Sequence, residues 1–157
     1  MVFFTEANYR TFLRKISFEW TAYCDITGYS LLPNLFHFIV RPNITGCDYV
    51  VLKEKETHLQ NLSKAIGKTL SSYAKAVNIQ EGKSGTLFRK KTRAQQLMTN
   101  EEVAYWLEFI HNSPVKAYLV GHAGEWEFSS YKSYVKDGYL ELRSRYGSLI
   151  EMPHKNA

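Results

Sequence analysis

The sequence predicts a single α+β domain. Three segments place apolar residues at helical spacing, and two short apolar runs between the first and second of these segments indicate strands joined by a tight turn. The chain of 157 residues is long enough for one substantial core, and it contains no repeat, low-complexity tract or linker. We therefore expect one domain over residues 1–157, with a polar tail over about 137–157.

The first helix is predicted close to the start of the sequence. Four apolar residues repeat there at helical spacing: Tyr9, Phe12, Leu13 and Ile16. Thr5 precedes them and is a favourable N-cap, because its hydroxyl can accept a hydrogen bond from a backbone N–H of the first turn. The pattern predicts an amphipathic helix.

Two strands are predicted next. Residues 22–32, AYCDITGYSLL, form a strand-like run with Gly28 as the site of a bulge, and residues 35–40, LFHFIV, form another. Pro33 and Asn34 between them mark a tight turn. Strands joined by so short a turn should pair antiparallel.

Two further helices follow. A stripe of apolar residues predicts the second helix over about 57–77. Thr99, with Glu102 three residues later, forms a capping-box pattern that begins the third. Pro114 is expected to end this helix, because the residue before a proline is disfavoured in helical geometry.

A basic segment lies between the second and third helices. Two glycines interrupt the helical period, and the segment holds five cations: Lys83, Arg89, Lys90, Lys91 and Arg93. We expect a loop followed by a short extended stretch over about 88–98. The cluster indicates either contact with phosphates or a solvated edge strand, since lysines commonly protect sheet edges.

Charge, hydropathy and cysteine spacing indicate the partner and the cellular location to expect for this protein. The net charge of +5 is consistent with a polyanionic partner. No apolar stretch reaches the roughly 18 residues of a membrane span, and the start lacks the features of a signal peptide, so we expect a cytoplasmic protein without membrane contact. Cys24 and Cys47 lack the spacing of a metal site or a redox pair, and both are expected to be reduced thiols.

The order of motifs resembles a known family. The chain carries LPNLFHFIV on the second predicted strand, SGTLFRKK in the basic segment, and FIHNSPVKAYLV with EWEFSSY after it. Over about residues 3–135 these pieces are similar to the REP-associated branch of the single-tyrosine HUH transposases. SPVKAYLV with WEFSSY at that distance is the most specific part of the resemblance.

The resemblance implies a ferredoxin-like antiparallel sheet backed by helices, and DNA transposition acting on single-stranded or hairpin DNA. In the family, two histidines on a central strand hold a divalent ion, Mg²⁺ or Mn²⁺, and a tyrosine on the last helix attacks the scissile phosphate. The metal neutralises the phosphodiester, and His-x-His places two imidazoles on one face of a strand. The family also uses the region of the basic segment against DNA, which favours phosphate contact for its five cations.

Three of the family's active-site residues, two metal ligands and the nucleophile, are missing from this chain. The histidine pair falls on Leu35 and His37, so one imidazole is lost. The nucleophile position falls on Phe109, which has no hydroxyl, and the helix-borne ligand position falls on Ser113, a poor ligand for a hard cation. The resemblance therefore implies a DNA-binding domain that has lost cleavage and binds no metal, with Leu35 filling the space of the lost site.

Two alternatives stay open. Tyr105 lies one turn before Phe109 and could be a displaced nucleophile, although a turn of about 5.4 Å exceeds the tolerance of attack geometry. The chain could also be a non-catalytic partner subunit of an intact transposase. His37 alone is expected to be a buried, hydrogen-bonded imidazole, and Tyr73 a core residue.

The sequence shows no counterpart of the family's first strand, either because the chain is a shortened form or because its coding start was chosen late. In relatives this strand precedes the first helix, whereas residues 1–10, MVFFTEANYR, correspond to the point where that strand ends. Loss of a strand would leave an unpaired edge on its neighbour. Dimerisation would cover that edge, and we expect a homodimer, as is usual in the family.

Overall fold

The computed structural model describes residues 1–52, 55–89 and 92–136, and it confirms an α+β protein. In chain order its elements are helix α1 (Glu6–Glu19), strands β1 (Cys24–Leu32) and β2 (Leu35–Pro42), helix α2 (Ile44–Cys47), strands β3 (Tyr49–Leu52) and β4 (Lys55–Gln60), helices α3 (Asn61–Gln80) and α4 (Asn100–Lys116), a 3₁₀ turn (Ala123–Glu125) and helix α5 (Tyr131–Lys136). The polar tail expected over 137–157 lies outside the described residues.

The strands form two sheets of two strands each, β1 with β2 and β3 with β4. The ferredoxin-like arrangement therefore stays a prediction. The turn at Pro33 and Asn34 joins β1 directly to β2, so this pair is the antiparallel hairpin that the sequence predicted. Cys24 and Cys47 are free thiols.

Residue contacts divide the chain into two compact units. The first comprises Met1–Thr27 and Pro33–Thr92, and the second comprises Gly28–Leu32 and Arg93–Ala157. Strand β1 contributes residues to both units. The prediction of a single domain stays a prediction.

In the first unit, helix α1 begins at the predicted cap. Thr5 Oγ1 accepts a hydrogen bond from the Asn8 N–H at 3.4 Å, and Asn8 Oδ1 accepts one from the Thr5 N–H at 3.0 Å. This is a capping box with asparagine in the third position. Tyr9, Phe12 and Ile16 are buried, as the helical spacing predicted.

An aromatic cluster fills the core of the first unit. The ring of Phe12 is fully buried, with its centroid 4.7 Å from that of Tyr73 on α3 and 5.4 Å from that of Phe36 on β2. The Tyr73 hydroxyl donates to the Val2 carbonyl at 3.1 Å. Tyr73 is therefore the core residue that the sequence predicted, and its buried phenol has a partner.

Residues 43–56, most of the segment between β2 and α3, were not assigned from the sequence. Strand β4 pairs antiparallel with β3, with Gln60 opposite Tyr49. Residues 57–60, predicted to be helical, belong to this strand, so α3 begins at Asn61. The short helix α2 before β3 is capped by Asn43, whose side chain accepts from the Gly46 N–H at 2.8 Å.

In the second unit, helix α4 begins at the predicted capping box of Thr99 and Glu102. The predicted end at Pro114 is wrong, because the helix continues to Lys116. A proline cannot donate to the carbonyl four residues earlier, which here belongs to Ile110. The Ser113 hydroxyl donates to that carbonyl instead, at 2.6 Å, so the carbonyl is not left without a partner.

Candidate functional site

The two family metal-ligand positions on β2 lie in the first unit. His37 is half-buried, and loss of water around its imidazole lowers its pKa. Leu35 begins the strand directly after the turn and is 38 % exposed. The expectation that Leu35 fills a packed space is therefore wrong. Of these two positions only His37 offers a donor atom.

The family's nucleophile position lies on α4 in the second unit. Phe109 is half-buried there, with its ring edge-on to Trp106 at a centroid distance of 5.1 Å. The Lys116 ammonium lies 4.6 Å from the centre of the Phe109 ring, a cation–π contact. Tyr105, one turn earlier, is 64 % exposed. A phenol is thus present on α4, but at the surface and one turn from the family position.

Ser113, at the helix-borne ligand position, is buried and already bonded within the protein. Besides donating to Ile110, its hydroxyl lies 3.3 Å from that of Ser30. Leu35 has no donor and the Ser113 hydroxyl is committed, so the donor set does not fit a divalent cation. Among the described residues, no three His, Cys, Asp or Glu side chains are grouped as a metal site would require.

The second unit buries a polar cluster that the sequence analysis did not identify. His111 Nε2 lies 2.8 Å from Ser130 Oγ, and both residues are more than nine-tenths buried. Ser130 Oγ also accepts from the Tyr29 N–H at 2.9 Å, and the Ser130 N–H donates to the Tyr29 carbonyl at 3.0 Å. Ser130 belongs to the EFSSY string, but no local pattern in the sequence pairs it with His111.

The properties of this cluster indicate a structural role rather than a catalytic one. Burial lowers the pKa of His111 to about 4, so the imidazole is neutral at physiological pH. No carboxylate of the described chain is hydrogen-bonded to His111, so the third member of a nucleophilic triad is missing. Ser130 is buried and forms hydrogen bonds with the backbone of Tyr29 on β1. These bonds connect β1 to the residue directly before α5.

Contacts at Gly85 and Phe88 hold the basic segment within the first unit. The Asn78 side chain on α3 donates to the Gly85 carbonyl at 2.8 Å. Phe88 is half-buried, with ring centroids 5.9 Å from Phe36 and 6.3 Å from Tyr73. These contacts fix the backbone beside Arg89, whose own side chain is exposed.

Three of the five predicted DNA-contacting cations are described, and all three are exposed: Lys83, Arg89 and Arg93. Lys90 and Lys91 lie outside the described residues. Lys83 Nζ is 3.8 Å from a Glu81 carboxylate oxygen and 4.6 Å from the centre of the Phe4 ring. Residues 83–89 and 92–99 contain neither helix nor strand, so the alternative of an edge strand is not found in the described part of the segment.

Positive charge is concentrated around this segment. Residues 57–100 contain eight of the twenty Lys and Arg residues but only one of the fifteen Asp and Glu residues, Glu81. The rest of the chain then holds twelve basic and fourteen acidic residues. The net positive charge of the protein therefore comes from this stretch alone, a bias that the overall value of +5 conceals.

Comparison with known proteins leaves the resemblance as a prediction. No model of a protein family matches the chain, nor does any curated protein or solved structure. Within the described residues, no helix has the length and apolarity needed to cross a membrane. The predicted homodimer and cytoplasmic location stay predictions.

Proposed function

We propose that this protein binds single-stranded or hairpin DNA and does not cleave it. The concentration of positive charge in residues 57–100 is the observation that supports binding most strongly. Each cation that neutralises a phosphate releases condensed counterions, which gives affinity without any base contact. A stretch with eight cations and one carboxylate suits that interaction.

The anchored basic segment supplies the geometry for such contacts. Its backbone is held through Gly85 and Phe88, so the backbone beside the exposed Arg89 is already ordered before DNA binds. A guanidinium can form two parallel hydrogen bonds to one phosphate, and lysine acts as a point charge. Binding through phosphates positions the DNA but does not by itself select a sequence.

The proposal that cleavage is lost is supported by the groups at the three family positions. Attack on a phosphodiester needs a nucleophile and compensation of the developing charge. Phe109 cannot supply the former. Leu35 and the hydrogen-bonded hydroxyl of Ser113 do not offer the ligands for a metal ion that would compensate the developing charge.

One observation favours an alternative, a strand transferase with a displaced nucleophile. The Tyr105 side chain is 64 % exposed on α4, one turn from Phe109, and so is accessible to DNA. Under this alternative a covalent protein–DNA species would form, and Tyr105→Phe would abolish it. Under our proposal no such species forms.

Salt dependence tests the binding surface. The affinity of the full chain for a labelled DNA hairpin with a single-stranded tail is measured between 50 and 200 mM salt, for wild type and for Lys83→Gln/Arg89→Gln/Arg93→Gln. We expect the plot of log affinity against log salt to flatten by about one unit per phosphate contact removed. The control, Arg10→Gln/Arg14→Gln/Lys132→Gln, removes the same charge outside residues 57–100 and should keep the wild-type slope.

Failure can take two forms. No binding by wild type at low salt would overturn the proposal and leave the partner-subunit alternative. Equal flattening in both variants would show that the basic segment is not the contact surface.

A further inference from the structure

Helix α3 carries a second group of cations that the sequence analysis did not assign to any role. Lys64, Lys68 and Lys75 are separated by four and seven residues, so they lie within about 40° of one another around the helix axis. All three are exposed. The buried residues of α3 occupy the opposite face: Leu62, Ala65, Thr69, Tyr73 and Val77. The cations therefore form one stripe along the outer face, which we call the α3 lysine stripe.

The stripe is not neutralised by the described part of the protein. None of its three lysines forms an ion pair with an acid of the described chain. The pKa of Glu19 is lowered chiefly by a hydrogen bond from Thr69 and then by Lys15. Lys68 is the lysine of the stripe that also lowers this pKa, and its charge has the smallest effect. That carboxylate is already bonded to Thr69 and Lys15.

The surface of α3 between the lysines is open enough for a sugar-phosphate backbone to approach. Gly67 and Ser71 are exposed on the same side of the helix, between the lysines. A Cβ placed on Gly67 would have no atom of the protein within 4 Å. No bulky side chain therefore stands between the lysines along this face.

The stripe continues into the basic segment. Asn78 lies on the same side of α3 about one turn beyond Lys75. Its side chain donates to the Gly85 carbonyl, and its own carbonyl accepts from the Lys83 N–H at 2.8 Å. The segment thus leaves the helix at the end of the stripe, and its residues up to Thr92 belong to the same unit as α3.

We propose that the α3 lysine stripe contacts successive phosphates of the DNA bound by the basic segment; this inference rests on the proposed function. At about 1.5 Å per residue, Lys64 and Lys75 lie about 16 Å apart along the axis. Along the axis of a duplex, where each strand places one phosphate per about 3.4 Å, that length covers a row of about five base pairs. The stem of a hairpin is the part of the ligand that presents such a row.

The test uses Lys64→Gln/Lys68→Gln/Lys75→Gln, since glutamine and lysine have similar helix propensities and α3 should remain intact. Binding of the full chain to the labelled hairpin is measured across the same salt range, with circular dichroism to verify folding. We expect the log–log slope to flatten by about 2 to 3 units, from about 0.7 to 0.9 per phosphate contact. Lys64→Arg/Lys68→Arg/Lys75→Arg keeps the charges and should keep the slope.

The outcomes separate this inference from the proposed function. If wild type binds and the glutamine variant keeps the wild-type slope, the stripe is not in contact with DNA, whereas DNA binding stands. If Arg10→Gln/Arg14→Gln/Lys132→Gln flattens the slope equally, the effect comes from the net charge of the protein, and direct contact between the stripe and phosphates is refuted. If wild type does not bind hairpin DNA at low salt, both proposals fall.

Discussion

Lowering the pH should destabilise the folded chain through His111. The residue is 6 % exposed, and burial lowers its pKa from 6.5 to about 4. In the unfolded chain the imidazole regains an ordinary pKa of about 6.5. Because the folded pKa is the lower one, the unfolded state takes up the proton first as the pH falls. The stability contributed by neutral His111 is therefore complete above about pH 6.5 and is lost progressively towards pH 4.

The size of the effect follows from the shift. A change from 6.5 to about 4, at about 1.4 kcal/mol per pKa unit, corresponds to about 3 kcal/mol in full. About 2.5 kcal/mol of this is lost between pH 7.5 and pH 4.5. The groups that face the imidazole are the hydroxyl of Ser130 and the rings of Tyr131 and Tyr134, none of which offers a negative charge to a protonated His111.

Urea unfolding at pH 7.5 and pH 4.5 measures this loss, for wild type and for His111→Gln. The carboxyl groups titrate in both proteins, so the difference between their pH dependences isolates His111. We expect wild type to lose about 2.5 kcal/mol more than the variant. Ser130→Ala is the control: it removes the hydroxyl but leaves the imidazole buried, and should keep the wild-type pH dependence. Equal pH dependence in wild type and His111→Gln would refute the reasoning.

Two further substitutions test the local structure. Ser113→Ala removes the hydroxyl that donates to the Ile110 carbonyl in place of the missing N–H of Pro114, and should lower the free energy of unfolding by about 1 to 3 kcal/mol; an unchanged urea midpoint would contradict this role. Gly46→Ala would place a Cβ 2.0 Å from the Tyr23 carbonyl oxygen, so the backbone must shift, and we expect a loss of about 2 kcal/mol or more in thermal or urea unfolding. A loss below about 0.5 kcal/mol would show that α2 is not packed as described.

Local signals in the sequence were sufficient for part of the fold. The caps at Thr5 and Thr99 each depend on residues within one turn, and the β1–β2 turn depends on two adjacent residues. The buried face of α1 follows from helical spacing alone. These features are determined by neighbours along the chain, and the structure confirms them.

The features that were missed depend on residues far apart in the chain. Ser130 meets Tyr29 across a separation of 101 residues, and His111 meets Ser130 across 19. Neither pairing has a period or motif of its own. The passage of α4 through Pro114 was missed for a related reason, because it depends on which way the Ser113 hydroxyl turns.

The candidate site was predicted in its composition but not in its extent. The cations of the basic segment are visible as a cluster in the sequence, and the described ones are exposed. The α3 lysines were not singled out, because their side of the helix becomes a continuation of the segment only through the bonds of Asn78. The losses at Leu35, Phe109 and Ser113 are meaningful only through the family resemblance, which stays a prediction.

One incubation tests the central claim most directly. The full chain is mixed with a labelled single-stranded hairpin DNA and Mn²⁺, and the sample is divided between a native and a denaturing gel. Our account predicts a shifted band on the native gel and no covalent protein–DNA species on the denaturing gel. A covalent species, abolished by Tyr105→Phe, would contradict it and identify an enzyme with a displaced nucleophile. No shift at low salt would contradict DNA binding itself.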